Sequence, residues 1–280
     1  MTISQFEALA CPLDGFSLQK NGNSWQCSAG HSFDIARQGY VHLLPVQNKR
    51  SRNPGDNKEM VAARHRFLCA GFYQPIAEAL SQAVFPDGFS ESAIRCLDAG
   101  CGDGYYMRHL ACNAPKNTDL VLMGLDISKW AVLSAAKQDR NPAWVVGSNA
   151  NLPVLPETLD RILCLFGFPV YPEFARVLKP GGEVVQVDAG PNHLKELREV
   201  IYAELKQPNK GQEAAPDGFT NLETSVVRYN LPLPDKSSIN DLLAMTPHLY
   251  RANSEGLARA AELESLTVTV EATIRRIKKV

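Results

Sequence analysis

The sequence has no run of apolar residues approaching the ~20 that a membrane-spanning helix needs. Nor does the stretch from Met1 to Ala10 show the basic-then-apolar order of a secretory leader. A chain kept in the cytoplasm, away from membranes, is expected. Net charge is nearly absent, because 29 Lys and Arg stand against 30 Asp and Glu to leave −1. No global field draws in nucleic acid, and any such binding must rest on local patches. An even set of cysteines is also lacking. The seven cysteines sit at positions 11, 27, 69, 96, 101, 112 and 164, which suits buried thiols in a reducing compartment better than a disulfide framework. Internal repeats are missing too. With 45% apolar and 21% charged residues the composition is that of a packed globular chain.

At 280 residues there is room for one large domain and a small appendage. The first ~40 residues are rich in Gly, Ser, Cys and turn signals, with only short apolar runs such as Tyr40 to Leu44. Pro45 to Asn57 is polar and broken by Pro54-Gly55, the composition of a linker. The divisions expected are a module over 1–44, a basic linker over 45–58 and a main domain over 59–280. Between Lys49 and Arg66, six basic residues (Lys49, Arg50, Arg52, Lys58, Arg64, Arg66) outnumber two acids (Asp56, Glu59). That run reads either as a solvated segment or as a phosphate-binding arm.

A helix is expected from Asn57, with Met60, Val61, Arg64, Phe67 and Leu68 at helical spacing. From Ala93 onward short apolar strands alternate with amphipathic helices. Strands are predicted at Ile94 to Ala99, Leu120 to Leu125, Trp144 to Val146, Leu159 to Phe166 and Glu183 to Ala189. Helices are predicted at Tyr105 to Ala111, Lys129 to Lys137, Tyr171 to Val177 and Asn192 to Glu204. Such alternation means a parallel α/β sheet. Residues 206–221 read as a loop, and Glu223 to Asn230 with Ser265 to Ile277 as an antiparallel pair at one sheet edge.

Leu97-Asp98-Ala99-Gly100-Cys101-Gly102-Asp103-Gly104 places a glycine at every second position directly after a strand and before a helix. Glycine lets the backbone turn sharply and lets a ligand approach the main chain. The spacing D-x-G-x-G-x-G differs from the dinucleotide pattern G-x-G-x-x-G. It resembles the first motif of class I methyltransferases, a Rossmann-like α/β fold whose cofactor, S-adenosylmethionine, ends in an amino acid rather than phosphates. On that reading Asp98 orders the loop or receives the cofactor ammonium. Asp126, closing the next strand, offers one carboxylate to two ribose hydroxyls. Gly147 to Pro153 supplies polar groups toward the adenine, and Arg176 to Gly182 forms a turn before the fifth strand.

In the N-terminal module, Cys11-Pro12-Leu13-Asp14 and Cys27-Ser28-Ala29-Gly30-His31 have zinc-module spacing. Asp14 stands where a thiolate would be the softer ligand. Two readings stay open: a zinc ribbon held by Cys11, Asp14, Cys27 and His31, or a metal-free module held by Phe16, Leu18, Trp25, Phe33 and Ile35. His42 is an alternative ligand.

Several segments together resemble the bacterial 23S rRNA (guanine-N1)-methyltransferases. They are Cys11-Pro12-Leu13, Gly39 to Gln47, Lys49 to Asp56, Leu97 to Tyr106, Ala189 to Leu194 and Met245-Thr246-Pro247. The resemblance implies methylation of N1 of one guanine in hairpin 35 of 23S rRNA by a homodimer that joins an RNA-recognising zinc-ribbon-like module to the catalytic domain. It implies zinc on Cys11, Asp14, Cys27 and His31, and cofactor contacts from Tyr73, Gly102, Asp103 and His193, beside Asp98, Gly100 and Asp126. It also implies that Lys49, Arg50 and Arg52 hold RNA phosphates.

Guanine N1 carries a proton, so its methylation needs a base or a group that stabilises the developing oxyanion. After the fourth strand the chain has Phe166-Gly167-Phe168-Pro169, with no carboxylate. Phe166 and Phe168 either stack on an extruded guanine or belong to the core. The catalytic residue is unassigned, with Asp188 and Asp160 as candidates. Two other functions fit the fold: a small-molecule methyltransferase and a non-catalytic RNA-binding protein.

Overall fold

Three-residue strands open the chain: β1 (Ile3–Gln5), β2 (Gln19–Asn21), β3 (Ser24–Gln26), β4 (Ser32–Asp34) and β5 (Tyr40–His42). Strands so short cannot hold themselves, and each leans on neighbours. β2, β3 and β4 pair as an antiparallel ribbon, whereas β1 pairs with residues 120–122 and β5 with residues 144–146, both in the main sheet. The computed structural model describes residues 2–48, 51, 53–204 and 214–280. The basic residues Lys49, Arg50 and Arg52 lie outside the described residues, as do residues 206–213 of the expected 206–221 loop.

Helix α1 (Lys58–Cys69) starts where the sequence predicts, capped by Asn57, whose side chain accepts from Met60 N at 2.9 Å. Helix α2 (Gln74–Val84) is not among the predicted helices; its Pro75 occupies the first turn, where no amide partner is needed. The alternating part follows as β6 (Ala93–Ala99), α3 (Tyr105–Cys112), β7 (Asp119–Asp126), α4 (Lys129–Gln138), β8 (Ala143–Val146), β9 (Leu159–Leu165), α5 (Tyr171–Val177) and β10 (Leu178–Ala189). The Arg176 to Gly182 segment is not a free turn. Arg176 and Val177 end α5, and Leu178 to Gly182 are the bulged start of β10, with the register shifting between Leu178 and Glu183.

The long helix predicted over Asn192 to Glu204 shrinks to α6 (Lys195–Ile201), because Gly190 to His193 form a turn and Leu194 takes a left-handed backbone, φ 52°. The chain closes with β11 (Phe219–Leu233), α7 (Lys236–Ala244), α8 (His248–Arg251), α9 (Ser254–Ala261) and β12 (Leu266–Lys279). As predicted, β11 and β12 pair antiparallel at the sheet edge.

The main sheet runs β11-β12-β10-β9-β6-β7-β8-β5, with β1 also on β7. From β6 the chain goes first to β7 and β8 on one side, then to β9 and β10 on the other. Ligands in such sheets bind at this switch point, beyond the carboxyl ends of the strands. Two cores cover the two faces. One buries α1 to α4, α6 and α7 against the sheet; the other buries Cys11, Leu18, Trp25 and Cys27 of the ribbon with Leu97, Met123, Val145 and Phe174. The 1–44 module therefore packs directly on the main sheet. It takes the place of a helical layer on one face and lends two strands to the sheet. Among the described residues, no helix is long and apolar enough to cross a membrane.

Candidate active site and metal centre

The glycine loop leaves β6 at the switch point. Gly100, Gly102 and Gly104 all have positive φ, and the N–H groups of Gly100 and Cys101 both bond Leu125 O, at 2.8 and 2.9 Å. A Cβ on Gly104 would lie 2.5 Å from the Trp144 ring, so a side chain there is excluded by space as well as by backbone. Asp126 ends β7 and binds the loop: Oδ2 accepts from Gly102 N at 3.0 Å and Oδ1 from Ser128 N at 2.7 Å. Each oxygen keeps a lone pair for a ribose hydroxyl.

Asp98 is buried, and neither of its carboxylate oxygens has a hydrogen-bond partner. Burial, and secondarily the charge of Asp126, push its carboxyl up to about 7. An unpaired buried carboxylate costs stability unless a ligand satisfies it. The ammonium of an amino acid end is such a ligand, so the site fits S-adenosylmethionine.

Asp103 behaves differently. Its carboxylate is fully enclosed by protein, with His65 Nδ1 at 2.7 Å, Tyr105 N at 3.3 Å and Arg108 Nη2 at 3.7 Å. It anchors the loop. Neither His65 nor Arg108 was marked by the sequence.

Tyr73 and His193, far apart in the chain, meet. The Tyr73 hydroxyl lies 3.3 Å from His193 Nε2, and Phe166 stacks on His193 with ring centres 5.7 Å apart. Burial is the main cause that lowers His193 to about 4 and raises Tyr73. Glu271 on β12, another residue missed in the sequence, holds the His193 turn: it accepts from Asn192 Nδ2 at 3.0 Å. A Cβ on Gly190 would strike it.

Phe166 adopts φ 50° at the mouth, and Phe168 beside it is 87% exposed. Phe168 is therefore not core. Asn149 donates to Ala99 O at 3.3 Å and Phe168 O at 3.5 Å, while its own carbonyl is buried and unpartnered. Asp160 lies at the opposite edge of the sheet, bound to Lys179 Nζ and Arg95 N, too far from the loop for chemistry. Asp188 ends β10 on the correct edge; burial raises its carboxyl, and Gln186 Nε2 donates to it at 2.7 Å.

In the ribbon, Cys11, Asp14, Cys27 and His31 each offer an atom within 4.8 Å of the others. The His31 Nδ1 atom lies 3.5 Å from Cys11 Sγ, 3.4 Å from Cys27 Sγ and 2.9 Å from Asp14 Oδ2. The edges of a tetrahedron with zinc bonds of ~2.0–2.3 Å measure about 3.3–3.8 Å. The donor set fits a zinc ion. His42, on β5, is not in the cluster. Among the packing residues, Leu18 and Trp25 are buried, but Phe16 is 54% exposed and contributes nothing to the module core.

Residues 9–52 match the family model described as "RlmA, N-terminal", a zinc ribbon, and residues 96–182 match one described as a methyltransferase domain. The chain is 31% identical to the "23S rRNA (guanine(748)-N(1))-methyltransferase" of Streptomyces fradiae, over 96% of both chains. It is 35% identical, over 95% of both chains, to a Micromonospora griseorubida protein named "Putative 23S rRNA (guanine-N(1)-)-methyltransferase". The same name with the suffix YxjB belongs to a Bacillus subtilis relative, 30% identical over 96% of both. The chain belongs to the 23S rRNA (guanine-N1)-methyltransferase family. As a member of that family it is a methyltransferase with a class I, Rossmann-like domain, and S-adenosylmethionine is its cofactor. Both parts of this family's architecture, ribbon and catalytic sheet, are present here in one interlocked body.

Proposed function

We propose that the protein transfers the methyl group of S-adenosylmethionine to N1 of a guanine in hairpin 35 of 23S rRNA. The observation that carries this reading is relatedness over nearly the whole chain, ribbon included, to proteins named for that reaction on 23S rRNA guanine. A catalytic domain shared with small-molecule enzymes would support methyl transfer alone.

When bound, the cofactor supplies an electrophilic methyl on a sulfonium, so the chain's task is alignment and proton handling. In this reading Asp98 neutralises the ammonium, and Asp126 takes the ribose hydroxyls. Gly100 and Gly102 admit the cofactor against the main chain, Asp103 fixes the loop, and Tyr73 with His193 closes the site beside Phe166. The extruded guanine stacks at Phe166 and Phe168. Asp188 is the proton acceptor: it lies on the correct sheet edge, and a raised carboxyl suits a base at neutral pH. Cys11, Asp14, Cys27 and His31 hold a structural zinc.

The functional divisions are the ribbon module over 1–44, the basic linker over 45–58 that follows the RNA backbone, and the catalytic domain over 59–280. The enzyme works in the cytoplasm as a homodimer, which sedimentation checks.

The deciding experiment incubates the protein with labelled S-adenosylmethionine and undermethylated 23S rRNA and maps the modified base. Label at guanine N1 in hairpin 35 is the expected outcome. Transfer elsewhere, or to small molecules and not to RNA, would overturn the proposal.

A further inference from the structure

The amino acid end of the cofactor is a zwitterion, and the ammonium has a ready partner in Asp98. Its carboxylate must enter a crevice already crowded with acids: Asp98, Asp103 and Asp126 lie in or beside the loop, and Asp56 packs on the turn after β7 through its carbonyl, which accepts from Ser128 Oγ at 2.5 Å. An anion there needs a cation with a donor to spare.

Two guanidinium groups touch the glycine loop. Arg108, from α3, is committed to Asp103: Nη1 donates to its carbonyl at 2.5 Å, and Nη2 lies 3.7 Å from its carboxylate. Arg64, from α1, is not fully committed. A Cβ on Gly102 would lie 3.5 Å from Arg64 Cδ, so the side chain runs along the loop. Its Nη2 donates to Asp56 Oδ2 at 2.6 Å and to Met245 O at 3.1 Å. Its Nε is buried without a hydrogen-bond partner.

The geometry points to Arg64 as the carboxylate subsite of the cofactor, with the buried Nε–H, which no group of the protein pairs, as the donor. An orphan acceptor on Asp98 and an orphan donor on Arg64, bordering one loop, are the complement of an α-amino acid zwitterion. Asp56 and Met245 O hold the guanidinium in place through Nη2, so the donor is oriented before the ligand arrives. The inference rests on the S-adenosylmethionine reading of the crevice.

Calorimetric titration with S-adenosylmethionine and with decarboxylated S-adenosylmethionine tests it, since the two ligands differ by the carboxylate alone. Wild-type protein should bind the intact cofactor about ten- to a hundredfold more tightly, the range of a charge-assisted buried hydrogen bond. Arg64→Gln should lower affinity for the intact cofactor to the level of the decarboxylated one, and leave the decarboxylated ligand within about twofold of its wild-type affinity. Affinity for the decarboxylated ligand, with the melting temperature, reports that the variant is folded. Arg64→Lys keeps the charge opposite Asp56 and should retain part of the discrimination. Equal weakening of both ligands in Arg64→Gln, or no discrimination by the wild type, would overturn the subsite while leaving the cofactor reading intact. Failure of S-adenosylmethionine itself to bind wild-type protein would overturn both.

Discussion

His193 Nδ1 accepts from the backbone N–H of Glu271 at 3.3 Å, while its Nε2 faces the Tyr73 hydroxyl at 3.3 Å. The first contact leaves no room for a proton on Nδ1, so the imidazole is the neutral Nε2–H tautomer and donates to Tyr73. Burial, which pushes His193 down to about 4, keeps it so throughout the neutral range.

Tyr73→Phe removes the acceptor and leaves a buried Nε2–H unpaired. It should cost about 1–3 kcal/mol of stability and weaken S-adenosylhomocysteine severalfold, read by thermal melting and calorimetry. Unchanged melting and affinity would mean that the pair is incidental packing.

Asp98→Asn should act in opposite directions on the apo and bound protein. The carboxyl ionises near 3.8 when unfolded and near 7 when folded, so the unfolded chain releases its proton first. Its contribution to stability is full below about pH 4, falls as pH rises through 7, and stays lost above. The amide escapes that loss, so the variant should melt higher than wild type at pH 8, by roughly 4 kcal/mol at most. It should also bind S-adenosylhomocysteine at least about tenfold more weakly. Wild-type affinity should improve between pH 6 and 8 as Asp98 ionises, and the variant should lack this trend. A pH-independent wild type would remove the ammonium contact.

Local signals were legible in the sequence and contacts between distant elements were not. The glycine spacing, the acids ending β6 and β7, and the Cys and His spacing of the ribbon are written within a few residues, because backbone geometry alone dictates them. Arg64, His65 and Glu271 reach the site from α1 and β12, and only tertiary packing decides what they touch. The strands β1 and β5 are three residues each, too short for a periodicity, so the docking of the ribbon on the sheet left no pattern to read. Phe16 misled for a related reason: hydrophobicity predicts burial on average, and one side chain at a turn can escape it.

The ribbon makes a separate prediction. Purified protein should carry stoichiometric zinc by elemental analysis, and a chelator should lower its melting temperature, because binding energy at a structural site is folding energy. Cys27→Ser should lose the metal, and Asp14→Cys should hold it more tightly by supplying a third thiolate. Metal-free protein whose melting ignores the chelator would show that Leu18, Trp25 and the main-sheet core hold the module alone.

Phe168 offers the cleanest separation of RNA recognition from folding. At 87% exposure it supports little of the core, so Phe168→Ala should leave melting temperature and S-adenosylhomocysteine affinity unchanged. If the ring stacks on the extruded guanine, its loss removes about 1–3 kcal/mol, a fall of about five- to a hundredfold in kcat/KM for 23S rRNA. The loss should persist at saturating cofactor, because the missing contact is to RNA. Phe168→Trp keeps a stacking face and should retain most activity, which a merely steric role for the side chain would not require. Full activity in Phe168→Ala would place the guanine elsewhere in the mouth and leave Phe166, stacked on His193, as its remaining aromatic support.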